Sequence, residues 1–181
     1  GFTAIRCCSR MQSRTGASAL AKLEQEGKLK AVITQNIDGL HQAAGSKEVL
    51  ELHGSVLRNH CTRCGRFYGL DDILKMKGVP KCGCGCGGVI KPDVVLYEEG
   101  LDNEVIERSI AHIRKADMLI IGGTSLIVYP AAGLIDYYRG NKLVVINMSV
   151  TSQDKNADLV IQERSEKYLP ASEHITICKN I

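Results

Sequence analysis

The feature that most constrains the fold is a short apolar run that breaks into polar residues, within residues 31 to 41. Residues 31 to 33 have the character of a buried strand, and four hydrogen-bonding side chains follow within five positions. They are Thr34, Gln35, Asn36 and Asp38. Open parallel sheets bind ligands outside the carboxyl ends of their strands. The cluster therefore predicts a ligand site, where a single Asn or Asp would usually mark a solvated turn that caps the next helix.

Two later apolar runs end in the same way. Residues 117 to 121 break into a run of glycine, threonine and serine, and residues 142 to 146 are followed by an asparagine. If these strands run parallel to the first, the residues after all three would line one crevice. The glycines there are also compatible with an ordinary tight turn. The candidates added to the site are Gly123, Thr124, Ser125 and Asn147.

Helical patterns separate these strands. We expect helices that begin at Ser18, at Asp102 and at Pro130, and a last short strand over residues 158 to 161. Alternation of buried strands and amphipathic helices is typical of βαβ units. The predicted fold class is therefore α/β, with a doubly wound, parallel, Rossmann-like sheet.

Cysteine spacing predicts a metal site in an insertion after the first strands. Cys61 and Cys64 form a C-x2-C knuckle, and a second group of three cysteines begins after 17 intervening residues. This is the spacing of a four-thiolate structural zinc site. The second group consists of Cys82, Cys84 and Cys86, so one of its cysteines is surplus.

Composition argues against several classes of protein. Among 181 residues only 4% are aromatic, tryptophan is absent and the net charge is +3. The chain therefore has few of the aromatic and basic side chains that a nucleic-acid-binding surface needs. No apolar stretch approaches the roughly 20 residues that cross a bilayer. We find no signal-peptide core and expect a cytoplasmic protein, in which eight cysteines would bind metal rather than form disulfides.

The order and spacing of these motifs, from Ser18 to about Ile161, resemble the sirtuin family and its bacterial members. The matching segments are Thr-Gln-Asn-Ile-Asp-Gly-Leu-His (34–41), Leu-His-Gly (52–54), the paired cysteines, Lys-Pro-Asp-Val-Val-Leu-Tyr-Glu (91–98), Gly-Thr-Ser-Leu (123–126) and Ile-Asn (146–147). The resemblance implies an NAD-dependent protein lysine deacetylase or deacylase. Such an enzyme acts on an acyl-lysine protein or peptide, transfers the acyl group to ADP-ribose and releases nicotinamide.

The resemblance also implies roles for individual residues. His53 would be the general base, because an imidazole can take a proton from a ribose hydroxyl at physiological pH. Asn36 and Asp38 would hold the nicotinamide side and order a water, with Gln35 against the ribose. The other implied cofactor contacts are Ile37, Gly123, Thr124, Ser125 and Asn147.

For the substrate, the resemblance implies that Val94, Val95 and Tyr97 pair with the peptide and wall a tunnel for its lysine. Tyr97-Glu98-Glu99 stands where many relatives have Phe-Gly-Glu, which predicts a variant tunnel wall.

For zinc, the resemblance favours Cys86, which lies six residues before Pro92, and a C-x-C pair. The implied ligands are Cys61, Cys64, Cys84 and Cys86, with Cys82 as the alternative to Cys84.

Both ends of the chain depart from the family pattern. Sirtuins open with a strand and a Gly-Ala-Gly loop that holds the pyrophosphate, and residues 1 to 17 supply neither. The tail after Ile161 also differs. We therefore expect a fragment or shifted reading frames, with weak NAD binding and little activity in this chain.

The predicted domains are a partial Rossmann-like domain over residues 18–53 and 97–161 and a zinc-binding domain over residues 54–96. Residues 1–17 and 162–181 remain unassigned. An alternative function is a non-catalytic, zinc-stabilised peptide-binding protein. A zinc ribbon that binds nucleic acid is disfavoured, because the chain has neither a basic stripe nor aromatic platforms.

Overall fold

The computed structural model describes residues 13–162 and 175–179, with side chains described over residues 17–162. Its strands are β1 (Ala31–Thr34), β2 (Val49–Glu51), β3 (Gly54–Cys61), β4 (Phe67–Gly69), β5 (Ile90–Val94), β6 (Met118–Gly122), β7 (Leu143–Ile146), β8 (Leu159–Ile161) and β9 (Ile175–Lys179). Its α-helices are α1 (Ser13–Gln25), α2 (Leu40–Ala43), α3 (Leu70–Leu74) and α4 (Asn103–Lys115), and 3₁₀ helices cover Ala131–Tyr137 and Asp154–Asn156. The predictions made for residues 1–12, 163–174 and 180–181 lie outside the described residues.

The larger sheet has six strands in the order β2-β1-β9-β6-β7-β8. β1 and β2 run parallel, and β6, β7 and β8 run parallel to one another. These pairings confirm the doubly wound α/β fold. The most buried side chains of this sheet belong to Val32, Leu119, Ile121 and Val145, each with no exposed area. The core therefore lies on the strands that carry the predicted site.

The central strand of this sheet was missed by the sequence analysis. β9 lies between β1 and β6 and runs antiparallel to both, with Ile177 opposite Val32 on one side and Ile120 on the other. It comes from residues 162–181, which had been left unassigned. Ile175, Thr176 and Ile177 are β-branched and favour a strand, but a five-residue run without a following helix does not show which strands it joins.

Helix α4 forms as the sequence predicts. The Asp102 carboxylate caps it by accepting from the backbone N–H groups of Glu104 and Val105. Ile113 is fully buried, and Ile106 and Ile110 pack against the same core. This helix covers one face of the sheet beneath the strand ends.

The helix predicted to begin at Pro130 is a 3₁₀ helix. Its backbone bonds span three residues, as from the Gly133 N–H to the Pro130 carbonyl and from the Tyr138 N–H to the Ile135 carbonyl. Gly133 lies inside the segment and lowers its α-helical propensity. The predicted inner face remains, since Leu134 and Ile135 are buried.

A smaller antiparallel sheet has the order β4-β3-β5. β5 carries Pro92 at an edge, where proline is tolerated. The two sheets are joined by the short link between β2 and β3. The presence of two separate sheets supports our proposed division of the chain at residues 53/54 and 96/97. No helix in the described part of the chain is long and apolar enough to cross a membrane.

We expect Ile177→Pro in β9 to lower the free energy of unfolding by about 1 to 3 kcal/mol or more, because proline removes a ladder hydrogen bond in a central strand. Urea unfolding followed by circular dichroism measures the change. Leu159→Pro is the control, since it is the first residue of edge strand β8 and should have a smaller effect. Equal unfolding midpoints for Ile177→Pro and the unaltered chain would refute the central placement of β9.

Candidate functional site

His53 lies at the junction of the two sheets. Its Nδ1 is 3.2 Å from the backbone carbonyl oxygen of Gln35, in the polar turn after β1. A carbonyl only accepts hydrogen bonds, so Nδ1 carries the proton, and the neutral ring presents Nε2 as its proton acceptor. The backbone carbonyl of His53 accepts from the N–H of Val95, just past β5. One residue thus joins the β1 turn to the predicted substrate strand.

Gly54 explains why glycine follows this histidine. It pairs with Val94 across the small sheet and has a φ of 75°, in the left-handed region. A Cβ atom at this position would overlap the backbone carbonyl of Asp93. Only glycine lets β3 and β5 approach this closely beside His53.

The polar turn after β1 is half-buried and closely bonded. The Asp38 carboxylate accepts from the backbone N–H of Leu40 at the start of α2, which agrees with the helix-capping alternative. The backbone carbonyl of Ile37 accepts from the N–H of Val56 in β3. The backbone N–H of Asn36 donates to the Thr34 hydroxyl. These bonds fix the turn that carries the proposed nicotinamide-side residues.

The ends of β6 and β7 converge on the same crevice. Thr124 is buried, and its backbone carbonyl accepts from the Asn147 side-chain amide at 3.0 Å. Gln35 and Thr124 line one small cavity together with apolar residues from the core. Ser125 is exposed at the rim, and Gly123 has a φ of 60°. The structure therefore brings Gln35, Thr124 and Asn147 together, and the shared crevice for the other predicted strand-end residues stays a prediction.

The centre of the crevice differs from a nucleotide site of the usual doubly wound kind. There, a glycine-rich turn and a helix N-terminus follow the central strand and meet the phosphates. Here Ile175, the first residue of β9, pairs with Thr34 and Gly122 at the carboxyl ends of β1 and β6. No strand-to-helix turn leaves this central position within the described residues 13–162 and 175–179.

The proposed substrate residues lie at the end of β5 and in the loop after it. Val94 and Val95 are partly buried, and both line an open cleft of about 430 Å³. The outer edge of β5 pairs with no other strand in the described residues, so its backbone can accept an extended peptide. The Tyr97 side chain is fully exposed and forms no enclosed wall in this structure. Its place in a lysine tunnel stays a prediction.

The loop after β5 is closed by a carboxylate that the sequence analysis did not single out. Glu99 accepts from the backbone N–H of Leu96 at 2.9 Å and pairs with the Lys91 ammonium at 2.7 Å. These bonds hold Glu98 at a φ of 70°. Glycine is favoured at this backbone angle, and glycine is the residue that the family resemblance implies here.

The cysteine cluster fits a zinc ion. The sulfur atoms of Cys61, Cys64, Cys82 and Cys86 all lie within 4.8 Å of one another. Two edges of this group measure 3.5 Å (Cys61–Cys86) and 3.6 Å (Cys64–Cys82). Four sulfurs around zinc at 2.3 Å would be about 3.8 Å apart, so the four thiolates could hold one tetrahedral ion. The implied zinc site therefore has suitable donors in this chain.

The fourth donor differs from the one chosen by resemblance. The group within 4.8 Å contains Cys82, whereas the sequence-based choice was Cys84. Cys82 is buried and faces the other sulfurs, while Cys84 is exposed at the tip of the turn. The hydroxyl of Tyr68, which the sequence gave no reason to single out, donates to the Cys82 sulfur at 3.2 Å. This bond, together with hydrogen bonds from the backbone and side chain of Cys84, lowers the pKa of Cys82 to about 5. The geometry favours Cys82, and the assignment remains a prediction.

We expect Glu98→Gly to raise the free energy of unfolding by about 1 kcal/mol, because the left-handed conformation costs other residues about 1 to 2 kcal/mol. Urea denaturation measures this change. The matched control is Glu107→Gly on the exposed side of α4, which should lower the stability by about 1 kcal/mol. A loss of stability in both variants would contradict the backbone explanation.

The buried His41 should make the fold sensitive to acid. Burial lowers its pKa from 6.5 in spite of Asp38 and Glu51, and its Nδ1 has no hydrogen-bond partner among the described residues. The unfolded chain therefore binds this proton more readily. The stability contributed by neutral His41 should be complete above about pH 6.5 and fall as the pH drops towards its lower folded pKa. Urea midpoints at pH 7.5 and 5.5 should differ less in His41→Gln than in the unaltered chain. Equal differences would refute this role.

Comparison with known proteins agrees with this geometry. The profile of the Sir2 family matches residues 4–130. An NAD-dependent protein deacetylase of Clostridium perfringens is 66% identical over 152 residues, which are 83% of this chain and 62% of that protein. One from Clostridium acetobutylicum is 59% identical, with the same shares covered. The chain thus spans about three fifths of the length of these curated relatives.

Solved structures show the same likeness. A crystal structure of Sir2 with the inhibitor EX-527, 2'-O-acetyl-ADP-ribose and deacetylated p53 peptide has a TM-score of 0.80 and 41% identity, covering 86% of this chain and 68% of that one. A structure described as Sir2 with p53 peptide and NAD+ has a TM-score of 0.79 and 40% identity, covering 86% and 66%. Profile, sequence and fold agree over most of the chain, which therefore belongs to the Sir2 family.

Proposed function

We propose that the chain carries the catalytic and peptide-binding side of an NAD-dependent protein lysine deacylase. The observation that carries this proposal is the position of His53. Its Nδ1 is oriented by the Gln35 carbonyl, and its backbone is bonded to Val95. A proton-accepting Nε2 is thereby held beside both the cofactor turn and the edge strand.

The family resemblance implies the chemistry of these residues, and their placement is compatible with it. NAD, when bound, supplies the ribose carbon to which the acyl-lysine oxygen adds as nicotinamide leaves. His53 would accept the proton of a ribose hydroxyl at Nε2. Asn36 and Asp38 lie in the turn fixed by the Thr34 hydroxyl and the Leu40 amide, where they would orient the nicotinamide and a water.

An acyl-lysine peptide is the proposed substrate. The exposed edge of β5 offers backbone hydrogen bonds to an extended segment, and Val94 and Val95 supply apolar contacts in the adjoining cleft. The similar Sir2 structures contain acetylated or p53 peptides, which supports a peptide ligand for this chain as well. The bacterial relatives and the unpaired thiols of the described cysteines also support our proposal of a cytoplasmic location.

A second candidate function is supported by the centre of the larger sheet. Because β9 occupies the place from which phosphate donors usually come, the chain would bind NAD weakly. It would then act as a zinc-stabilised peptide-binding protein. Peptide binding without nicotinamide release distinguishes this function from catalysis.

We expect His53→Ala to lower deacylation by about a hundredfold or more, because it removes the proton acceptor. The measurement is nicotinamide release from NAD with an acetyl-lysine peptide. It is made on this chain and on a fusion in which residues 1–17 and 162–181 are replaced by the corresponding regions of the Clostridium perfringens relative, so that β9 no longer occupies the centre of the larger sheet. The fusion should turn over and this chain should show little activity.

His112→Ala is the control for a general effect of losing a histidine. His112 lies on α4 and pairs with Glu48, away from the proposed site. This variant of the fusion should keep its turnover. If His53→Ala unfolds the fusion but leaves the activity per folded molecule unaltered, His53 is structural. If the fusion binds the peptide and NAD but releases no nicotinamide, the catalytic proposal fails.

A further inference from the structure

The metal centre has one more thiol than zinc can use. One of the three cysteines at positions 82, 84 and 86 is surplus to a four-ligand site, and the Cys84 sulfur lies 3.6 Å from that of Cys64 and 3.2 Å from that of Cys82. Zinc in a closed structural site takes four ligands. A fifth sulfur in contact with two members of the site therefore has to be either a bystander or a ligand in exchange.

The distances favour exchange between Cys82 and Cys84. Cys64 is 3.6 Å from each of these two sulfurs, so either of them can form the same edge of a tetrahedron with Cys64. Their own separation of 3.2 Å is shorter than the edge of about 3.8 Å expected for two sulfurs on one zinc ion. They are therefore placed as alternatives for one position rather than as simultaneous ligands.

The turn between these cysteines can make the required movement. Cys84 lies outside the group of sulfurs within 4.8 Å, so it has to move inward to bind with Cys61 and Cys86. Gly83 and Gly85 flank it, and a Cβ atom at Gly85 would contact nothing within 4 Å. The turn thus has both the backbone freedom and the open space for this shift.

Tyr68 provides a hydrogen-bond partner for the Cys82 sulfur when that sulfur leaves the metal. Its hydroxyl donates to the Cys82 sulfur at 3.2 Å and accepts from the backbone N–H of Gly83 at 2.9 Å. Cys82 would keep this donor after losing its bond to the metal. Cys84, by contrast, is exposed and can meet a metal ion or chelator arriving from solvent.

We propose that Cys82 and Cys84 alternate as the fourth zinc ligand, and that Cys84 is the sulfur through which the site exchanges its metal. In each exchange one zinc–sulfur bond forms as another breaks. One proton passes through water from the incoming thiol to the outgoing thiolate, so the charge of the site is unchanged. No oxidant or reductant takes part. The proposal concerns the metal alone and does not depend on deacylase activity.

The test compares Cys82→Ser, Cys84→Ser, the double variant and Cys61→Ser in the full chain. Zinc content and chelator competition measure binding, and the charge-transfer intensity of the cobalt(II) form reports the number of thiolate ligands. Each single variant at positions 82 and 84 should keep one equivalent of zinc and four thiolates, with affinity lowered by less than about tenfold. The zinc affinity of the double variant and of Cys61→Ser should fall by at least about a hundredfold, more than the loss of a group that only contacts a ligand usually costs.

A kinetic arm tests the exchange itself. Transfer of zinc to 4-(2-pyridylazo)resorcinol should be several times slower from Cys84→Ser than from the unaltered chain. Loss of zinc or of one thiolate in Cys82→Ser alone would make Cys82 a fixed ligand, and the same result in Cys84→Ser alone would make Cys84 one. Full binding by the double variant, or an unchanged transfer rate in Cys84→Ser, would also overturn the proposal. Circular dichroism of each variant shows whether it is folded.

Discussion

The pairing of β9 with both β1 and β6 is the interaction on which the larger sheet depends. β1 with β2 forms one parallel unit, and β6 with β7 and β8 forms the other. β9 provides the backbone hydrogen bonds between them, in register from Ala31 to Thr34 on one side and from Met118 to Gly122 on the other. Without this strand, two apolar strand edges would be left without hydrogen-bond partners in the middle of the core. The distance between the two halves of the candidate site is therefore set by one five-residue strand.

The site also depends on how closely the two sheets meet. His53 lies in the short link between β2 and β3, and its ring is bonded to the β1 turn while its backbone is bonded beyond β5. Gly54 makes that approach possible, because any side chain would overlap Asp93. The proposed general base and the proposed substrate strand are consequently parts of one hydrogen-bonded unit. A zinc ion held by the cysteine cluster would stabilise the far end of the same small sheet, since Cys61 ends β3 and Cys86 precedes β5.

Much of this arrangement could be predicted because it depends on local sequence. Buried strands with polar ends, the Asp102 cap and the cysteine knuckles each carry their signal within a few residues. The position of β9 could not be predicted, because its partners lie more than 50 residues away and its own sequence does not specify a direction. The choice between Cys82 and Cys84 also depends on how a glycine-rich turn folds. The left-handed conformation of Glu98 is held by the contacts of Glu99 with the Lys91 ammonium and the backbone N–H of Leu96, which the sequence does not reveal.

Our central proposal is that this Sir2-family chain carries the predicted ribose and nicotinamide residues, while β9 occupies the position that phosphate donors usually follow. Charge-assisted hydrogen bonds contribute about 1.5 to 3 kcal/mol each, so the absence of two would weaken NAD binding by roughly a hundredfold to ten-thousandfold. Calorimetric titration of the purified 181-residue chain with NAD tests this claim most directly. We expect no binding in the micromolar range. A micromolar dissociation constant would contradict the claim and show that the chain holds the phosphates by other groups.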